Sequence, residues 1–188
     1  MSDIAFSLPG FMLFFLKEFV RDVIRDFIDR MRKAEREIKD FEQIIDLLGR
    51  CDTIRIGIAD EEAPYVVPVS FGYENCGGTI AVYFHGATEG RKSELMKRHP
   101  RVCVEADLCH GFVENGSGAV TCDYESVIGY GNAERVYGAE AERGIRLLLE
   151  HCGFPGHECT QAVLDITAVY RVLLDEPTGK HRNLEKRP

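Results

Sequence analysis

Between Tyr83 and Glu94 the chain reads Tyr-Phe-His-Gly-Ala-Thr-Glu-Gly-Arg-Lys-Ser-Glu. A strand end, a glycine turn and a helix start with two adjacent cations are the parts of a phosphate seat. The free N–H groups of a helix's first turn point at whatever stands before it, and Thr88 is placed to cap the helix that Gly90 begins. Arg91 and Lys92 oppose the helix macrodipole unless an anion shares the site, so their position favours one. A plain solvated helix start fits the same residues. A nucleotide P-loop does not: Gly86 and Gly90 enclose only three residues, and Arg91 stands before Lys92-Ser93.

Two further stretches carry candidate chemistry. Pro68 interrupts the strand-like run Val66-Val67-Pro68-Val69-Ser70-Phe71. Proline donates nothing to a ladder, so this run belongs at an edge, at a bulge, or beside a planar group that occupies the backbone. His151, Cys152, His157 and Cys159 place four soft ligands within nine residues. Their spacing matches none of the common structural zinc patterns, so no metal is assigned. A helix end with idle thiols fits equally, although the Gly-Phe-Pro-Gly turn could bring the halves together.

The elements that must position these residues follow from periodicity. From residue 9 to about 37, Met12, Leu16, Phe19, Val20, Val23, Ile24, Phe27 and Met31 recur at helical steps. The opposite face mixes charge signs. That favours a helix docked on this protein or on a second copy over attachment to a membrane, which would select cations. Asp40-Phe41-Glu42-Gln43 forms a capping box for a second helix that Gly49 stops. Ile54, Ile56 and Ile58 alternate as in a half-buried strand. Further strands are expected at Tyr65–Tyr73, Thr79–His85, Arg101–Asp107, Tyr124–Tyr137 and Val163–Leu174, with helices at about Gly90–Arg98 and Ala139–His151. Six strands, the early ones joined by hairpin-length turns, favour a closed or nearly closed antiparallel barrel over a doubly wound parallel sheet.

Composition narrows the function classes. A net charge of −8 argues against nucleic acid as the main partner, because a phosphate-tracking surface needs clustered cations. The seven cysteines follow no disulfide framework and include no Cys-x-x-Cys, so no redox dithiol is expected and a reducing cytoplasm is the expected compartment. The apolar run Phe11–Leu16 falls far short of the ~20 residues of a membrane span.

Four stretches in order carry a family resemblance: Tyr65–Tyr73, Tyr83–Ala87 with Gly90-Arg91-Lys92, Arg101-Val102-Cys103, and Tyr124–Gly131, followed by Thr178-Gly179-Lys180. Together they resemble the nitroimidazole-resistance (Nim) branch of the pyridoxamine 5′-phosphate oxidase-like flavoproteins, from about Met31 to Asn183. The resemblance implies a mainly β fold with peripheral helices, a six-stranded antiparallel split barrel, and a homodimer holding FMN at its interface. Periodicity makes residues 1–39 a helical extension, and the resemblance says nothing of the helix before Met31; residues 40–178 would be the FMN-binding domain, and composition makes residues 179–188 a polar tail. Arg91 and Lys92 would clasp the FMN phosphate with Thr88. Val67, Pro68, Val69 and Ser70 would run beside the flavin ring, and Ser126 and Val127 would support it from a later strand. His85 holds the family's histidine position, where it would donate a proton, touch substrate or only shape the pocket.

The implied activity is an FMN-dependent two-electron reduction of a small acceptor such as a nitroaromatic or quinone. No Gly-x-Gly-x-x-Gly is present, so a nicotinamide donor (NADH or NADPH) would dock only transiently. The alternative is a non-catalytic flavin- or haem-binding barrel, with His85, His151 or His157 as axial ligand. Pyridoxamine phosphate oxidation itself is disfavoured, because the likeness lies with the Nim branch.

Overall fold

The structure, a computed structural model, describes residues 33–114 and 116–182. The amphipathic stretch from residue 9 lies outside these residues up to 32. Its expected end at residue 37 is corrected: Ala34–Arg36 form a 3-10 turn and Glu37–Ile38 a short strand, β1. Helix α1 (Phe41–Arg50) begins as expected at Asp40, whose carboxylate accepts the Glu42 N–H at 3.0 Å. Ile44, Leu47 and Leu48 form its buried stripe. Gly49 does not stop it. It makes room for Tyr73, whose hydroxyl would stand 2.6 Å from a Cβ at that position.

The remaining strands are β2 (Ile54–Ile58), β3 (Tyr65–Val69), β4 (Phe71–Asn75), β5 (Ile80–Ala87), β6 (Arg101–Glu114), β7 (Val120–Val136) and β8 (Thr167–Arg182). Helices α2 (Arg91–Arg98), α3 (Gly138–His151) and α4 (Gln161–Asp165) complete the described residues. Every pairing is antiparallel, in the order β3-β2-β6-β7-β8-β5-β4, with β1 added to β8. The mainly β, antiparallel class therefore stands. The count rises from six to eight because β1 is added and the expected Tyr65–Tyr73 strand is two strands.

The break at Ser70 decides the architecture. Strands β3 and β4 lie at opposite ends of the pairing path, yet one residue separates them in sequence. That link brings the two ends of the sheet together, so the sheet must curl. Inward alternation then fills the interior with Ile54, Ile56, Phe71, Val82, Phe84, Val104 and Val172, all fully buried or nearly so. Pro68 sits on β3, an end strand, where its missing N–H leaves no gap in a ladder. Helix α3 covers β4 so closely that a Cβ on Gly72 would collide with the Leu147–Leu148 backbone.

Two further expectations change. Residues 161–165 are helical, and β8 begins only at Thr167. Residues 179–182, expected in a tail, belong to β8, with Gly179 paired to both Ile38 and Val127. Strands β6 and β7 outrun their expected lengths to form a hairpin arm, bulged between Cys109 and Gly111.

A charged clamp joins α1 to this arm. The Arg50 guanidinium donates to both Glu125 oxygens at 2.7 and 2.9 Å, and His110 Nε2 lies 2.8 Å from Glu125 Oε2. Arg50 is the main cause that holds the Glu125 carboxyl at about 2, against the cost of burial and with help from His110. A depressed carboxylate stabilises the fold above its ordinary value of 4.5 and loses that contribution as pH falls toward about 2. Glu125→Gln should therefore cost about 1 kcal/mol at neutral pH, after screening of the exposed Arg50. Denaturant titrations should show the deficit shrinking between about pH 4.5 and 2; a deficit constant across that window would remove the charge from the clamp.

Candidate functional site

The segment Tyr83–Glu94 folds as a strand end, a bend and a helix start, and buried contacts set its position. Phe84 stacks on Tyr170 of β8, with centroids 5.4 Å apart. The Tyr170 hydroxyl lies 2.9 Å from Ser93 Oγ, which in turn donates to the Thr88 carbonyl at 3.3 Å. Ser93, Leu95 and Met96 are buried, so the first turn of α2 is pinned from beneath. Thr88 is not the cap. Gly90 holds that position at φ +118°, a conformation that side chains resist, and no side chain bonds to the helix start.

The two cations part company. Lys92 folds back over the strand end, where its ammonium donates to the His85 carbonyl at 3.0 Å and stands 5.5 Å from the Phe84 ring centroid. A Cβ on Gly86 would lie 2.7 Å from that ammonium, so glycine there opens the groove that Lys92 occupies. Half-burial lowers the Lys92 pKa, and among the described residues no carboxylate pairs with it. Arg91 turns the other way. It pairs with Asp60, in the β2–β3 turn, at 2.8 Å and lies 5.1 Å from the centre of the Tyr65 ring. The same pair, with the Glu61 N–H, lowers the Asp60 pKa.

The other expected site residues divide by face. In β3, Val67 and Val69 turn toward the core, while Pro68 and Ser70, the residue just after the strand, are exposed. Only the latter two offer side chains to anything lying outside the strand. His85 is exposed at the end of β5. Desolvation, then the Lys92 charge, lowers its pKa, which favours the neutral imidazole.

Ser126 and Val127 are not gathered with these residues in one chain. The register runs Pro68–Arg55–Glu105–Ile128, three strand spacings or ~14 Å across the sheet, and Ser126 lies two residues further along β7. Val127 faces the core and is fully buried, so it anchors Ser126 rather than presenting a side chain. In the second cluster, His151 Nε2 lies 2.8 Å from the Cys51 carbonyl and its ring packs on Phe71 and Tyr73. That leaves its ring engaged within the fold. Among the described residues no group of three His, Cys, Asp or Glu could hold a metal ion.

Asp60 and Tyr170 were missed in the sequence. Asp60 reads as part of an acidic turn, and only the β2–β3 hairpin carries it to Arg91. Tyr170 reads as an ordinary strand aromatic, and nothing local joins it to Ser93.

Comparison with known proteins now adds to the geometry. A sequence model described as pyridoxamine 5′-phosphate oxidase matches residues 40–181. The chain belongs to that family. A candidate 5-nitroimidazole antibiotic resistance protein from Bacteroides thetaiotaomicron is 29% identical, with a TM-score of 0.68, over 77% of this chain and 85% of that one. The flavocytochrome Anf3 from Azotobacter vinelandii shares the fold at 22% identity and a TM-score of 0.70, over 82% and 72% of the two chains. So does an FAD- and haem-binding protein from Mycobacterium smegmatis, at 18% identity and a TM-score of 0.67, over 81% and 75%. A search of curated proteins found no match. Among the described residues no helix is long and apolar enough to cross a membrane.

In this member of the oxidase family, Asp60 competes with any anion for Arg91. Asp60→Asn should free the guanidinium and strengthen binding of inorganic phosphate modestly, because the ion pair it removes is solvent-exposed. The measurement is the phosphate-dependent rise in thermal midpoint, compared between the two proteins. An identical response would place Arg91 outside the seat.

Proposed function

We propose that this protein binds FMN between two copies of the chain and uses it for two-electron reduction of a small acceptor, such as a nitroaromatic or quinone. One observation carries the reading: Lys92, half-buried and with no carboxylate partner among the described residues, lies beside a helix start that no side chain caps. A cation losing hydration there is compensated by an anion that also accepts from the α2 amides, and a terminal phosphate supplies both. The family match supports a flavin phosphate as that anion. The 29% identity with the Bacteroides protein supports the nitroimidazole-resistance branch.

The chain's own residues would divide the work. Lys92 and the first-turn amides of α2 hold the phosphate, and Arg91 joins them when it leaves Asp60. Pro68 of β3 and Ser70 just after it would flank the ring. His85, its pKa lowered by desolvation and the Lys92 charge, would accept a hydrogen bond or shape the ring's edge. When bound, FMN would supply two-electron hydride chemistry, with NADH or NADPH as the candidate donor.

A second copy is the partner that the outer face fits. Val66, Gly57, Cys103 and Tyr130 lie opposite one another across β3, β2, β6 and β7, and Val66 and Tyr130 are 57% and 50% exposed. This row, beside the Arg55, Glu105 and Asp107 charges on the same face, would be covered by the second copy. A second chain would also bring Ser126 to a site that one chain leaves open.

The absorption spectrum of purified protein, with the mass of any extracted flavin, tests the reading. Flavin bands and FMN are expected. Colourless protein that ignores added FMN would overturn it, a sharp Soret band would favour the haem-binding alternative, and extracted FAD would correct the cofactor. Lys92→Met should weaken FMN binding by ~10- to 100-fold, the cost of one charge-assisted phosphate contact. Arg91→Ala should weaken it less, as judged by fluorescence titration. Tyr130→Glu should convert a dimer to a monomer in light scattering; unchanged mass would move the interface elsewhere.

A further inference from the structure

The hairpin arm carries a second piece of chemistry, away from the phosphate seat. Cys109 Sγ and Cys122 Sγ lie 3.5 Å apart, in contact, and both are reduced. They are not directly opposed in the ladder. Cys109 faces Tyr124, while Cys122 faces Phe112, so the two are diagonal neighbours. Diagonal residues on a regular ladder stand ~7–8 Å apart, which keeps short side chains from bonding. The bulge removes that separation. His110 is the extra residue on β6, and Gly111 completes the bend at φ +132°.

We propose that Cys109 and Cys122 form a reversible disulfide across the base of the arm, making it a modification site for small disulfides. The sequence contains no Cys-x-x-Cys, and a dithiol was not expected from it. The pair arises because the bulge brings together two cysteines thirteen residues apart. Among the described residues no other two thiols approach within hydrogen-bonding distance. Cys51 is a contrast in access, because it is buried in the core; the Cys122 thiol is also pushed up, by its hydrogen bond with Cys109.

The geometry permits the remaining movement. A disulfide needs the sulfurs to close to about 2.05 Å. Beyond the bulge the arm is exposed, with Phe112 and Val120 at 73% and 71%, so no packed layer resists that closure. Cys109 is exposed and Cys122 half-buried, so an incoming disulfide reaches Cys109 first.

The exchange balances in two steps. The Cys109 thiolate attacks one sulfur of a small disulfide, releasing one small thiol and leaving a mixed disulfide. The Cys122 thiolate then attacks the Cys109 sulfur and releases the second small thiol. Two protein thiols are oxidised, the small disulfide takes up their two electrons and two protons, and excess small thiol reverses both steps. Closure would encircle His110, the clamp residue on Glu125, and so fix the joint between arm and barrel.

The test uses the full chain, equilibrated in oxidised and reduced glutathione mixtures, quenched in acid and alkylated. Trypsin cleavage after Arg101 and Arg135 places Cys103, Cys109 and Cys122 on one peptide. Under oxidising mixtures that peptide should become two hydrogens lighter and retain alkylation at Cys103 alone. Reduced glutathione should restore all three adducts. Cys109→Ser should leave Cys122 trapped as a glutathione adduct, and Cys122→Ser should do the same for Cys109. Continued alkylation of both thiols in oxidised glutathione would overturn the proposal. So would separate glutathione adducts on the wild-type pair, a bond to Cys103, or a crosslink between chains.

Discussion

Ser70 carries the chain from one end of its pairing path to the other, and most of the architecture depends on that crossing. A sheet whose end strands are joined by one residue cannot lie flat. Once it curls, alternate residues of β2, β5, β6 and β8 share one interior, and the burial of Ile54, Ile56, Phe84 and Val172 becomes a single cooperative event. The crossing also sets β4 beside β5, and at the α2 start after β5 Arg91 meets Tyr65 of β3. Pro68 belongs beside it because an end strand tolerates a missing donor.

Electrostatics near α2 divides one sequence motif into two environments. Arg91 and Lys92 are neighbours in sequence, but helix geometry turns successive side chains apart by ~100°. Arg91 reaches a carboxylate in water, where the pair is worth little. Lys92 enters the groove that Gly86 leaves open and gives up hydration with no counter-charge among the described residues. Phe84, Tyr170 and Ser93 keep the helix start fixed so that this charge stays where it is. In the proposed function, the uncompensated cation makes the seat an anion site, whereas the compensated one adjusts its strength.

The hairpin arm shows the same economy of position. A bulge supplies His110 to Glu125 and, through Glu125, connects the arm to Arg50 at the end of α1. That bulge also sets Cys109 against Cys122. One inserted residue therefore links the charge clamp to the thiol pair that would lock it.

Much of the fold was legible because it rests on local rules. Asp40 capping α1, the alternation of Ile54, Ile56 and Ile58, and the mainly β antiparallel class all follow from side-chain period and turn chemistry. Strand limits failed where distant partners decide them: β8 extends to Arg182 because β1 and β7 pair with it, and Tyr65–Tyr73 breaks because its halves join different neighbours. Gly49 read as a stop, yet it serves Tyr73, which no local pattern shows. By itself the sequence determined that a helix would start beside Arg91 and Lys92, since glycine conformation and helix propensity act over a few residues. Only the tertiary structure decided which cation is buried, that Asp60 holds the other, and that Cys109 meets Cys122. Burial, ion pairing and thiol contact depend on distances that the closed, bulged sheet alone sets.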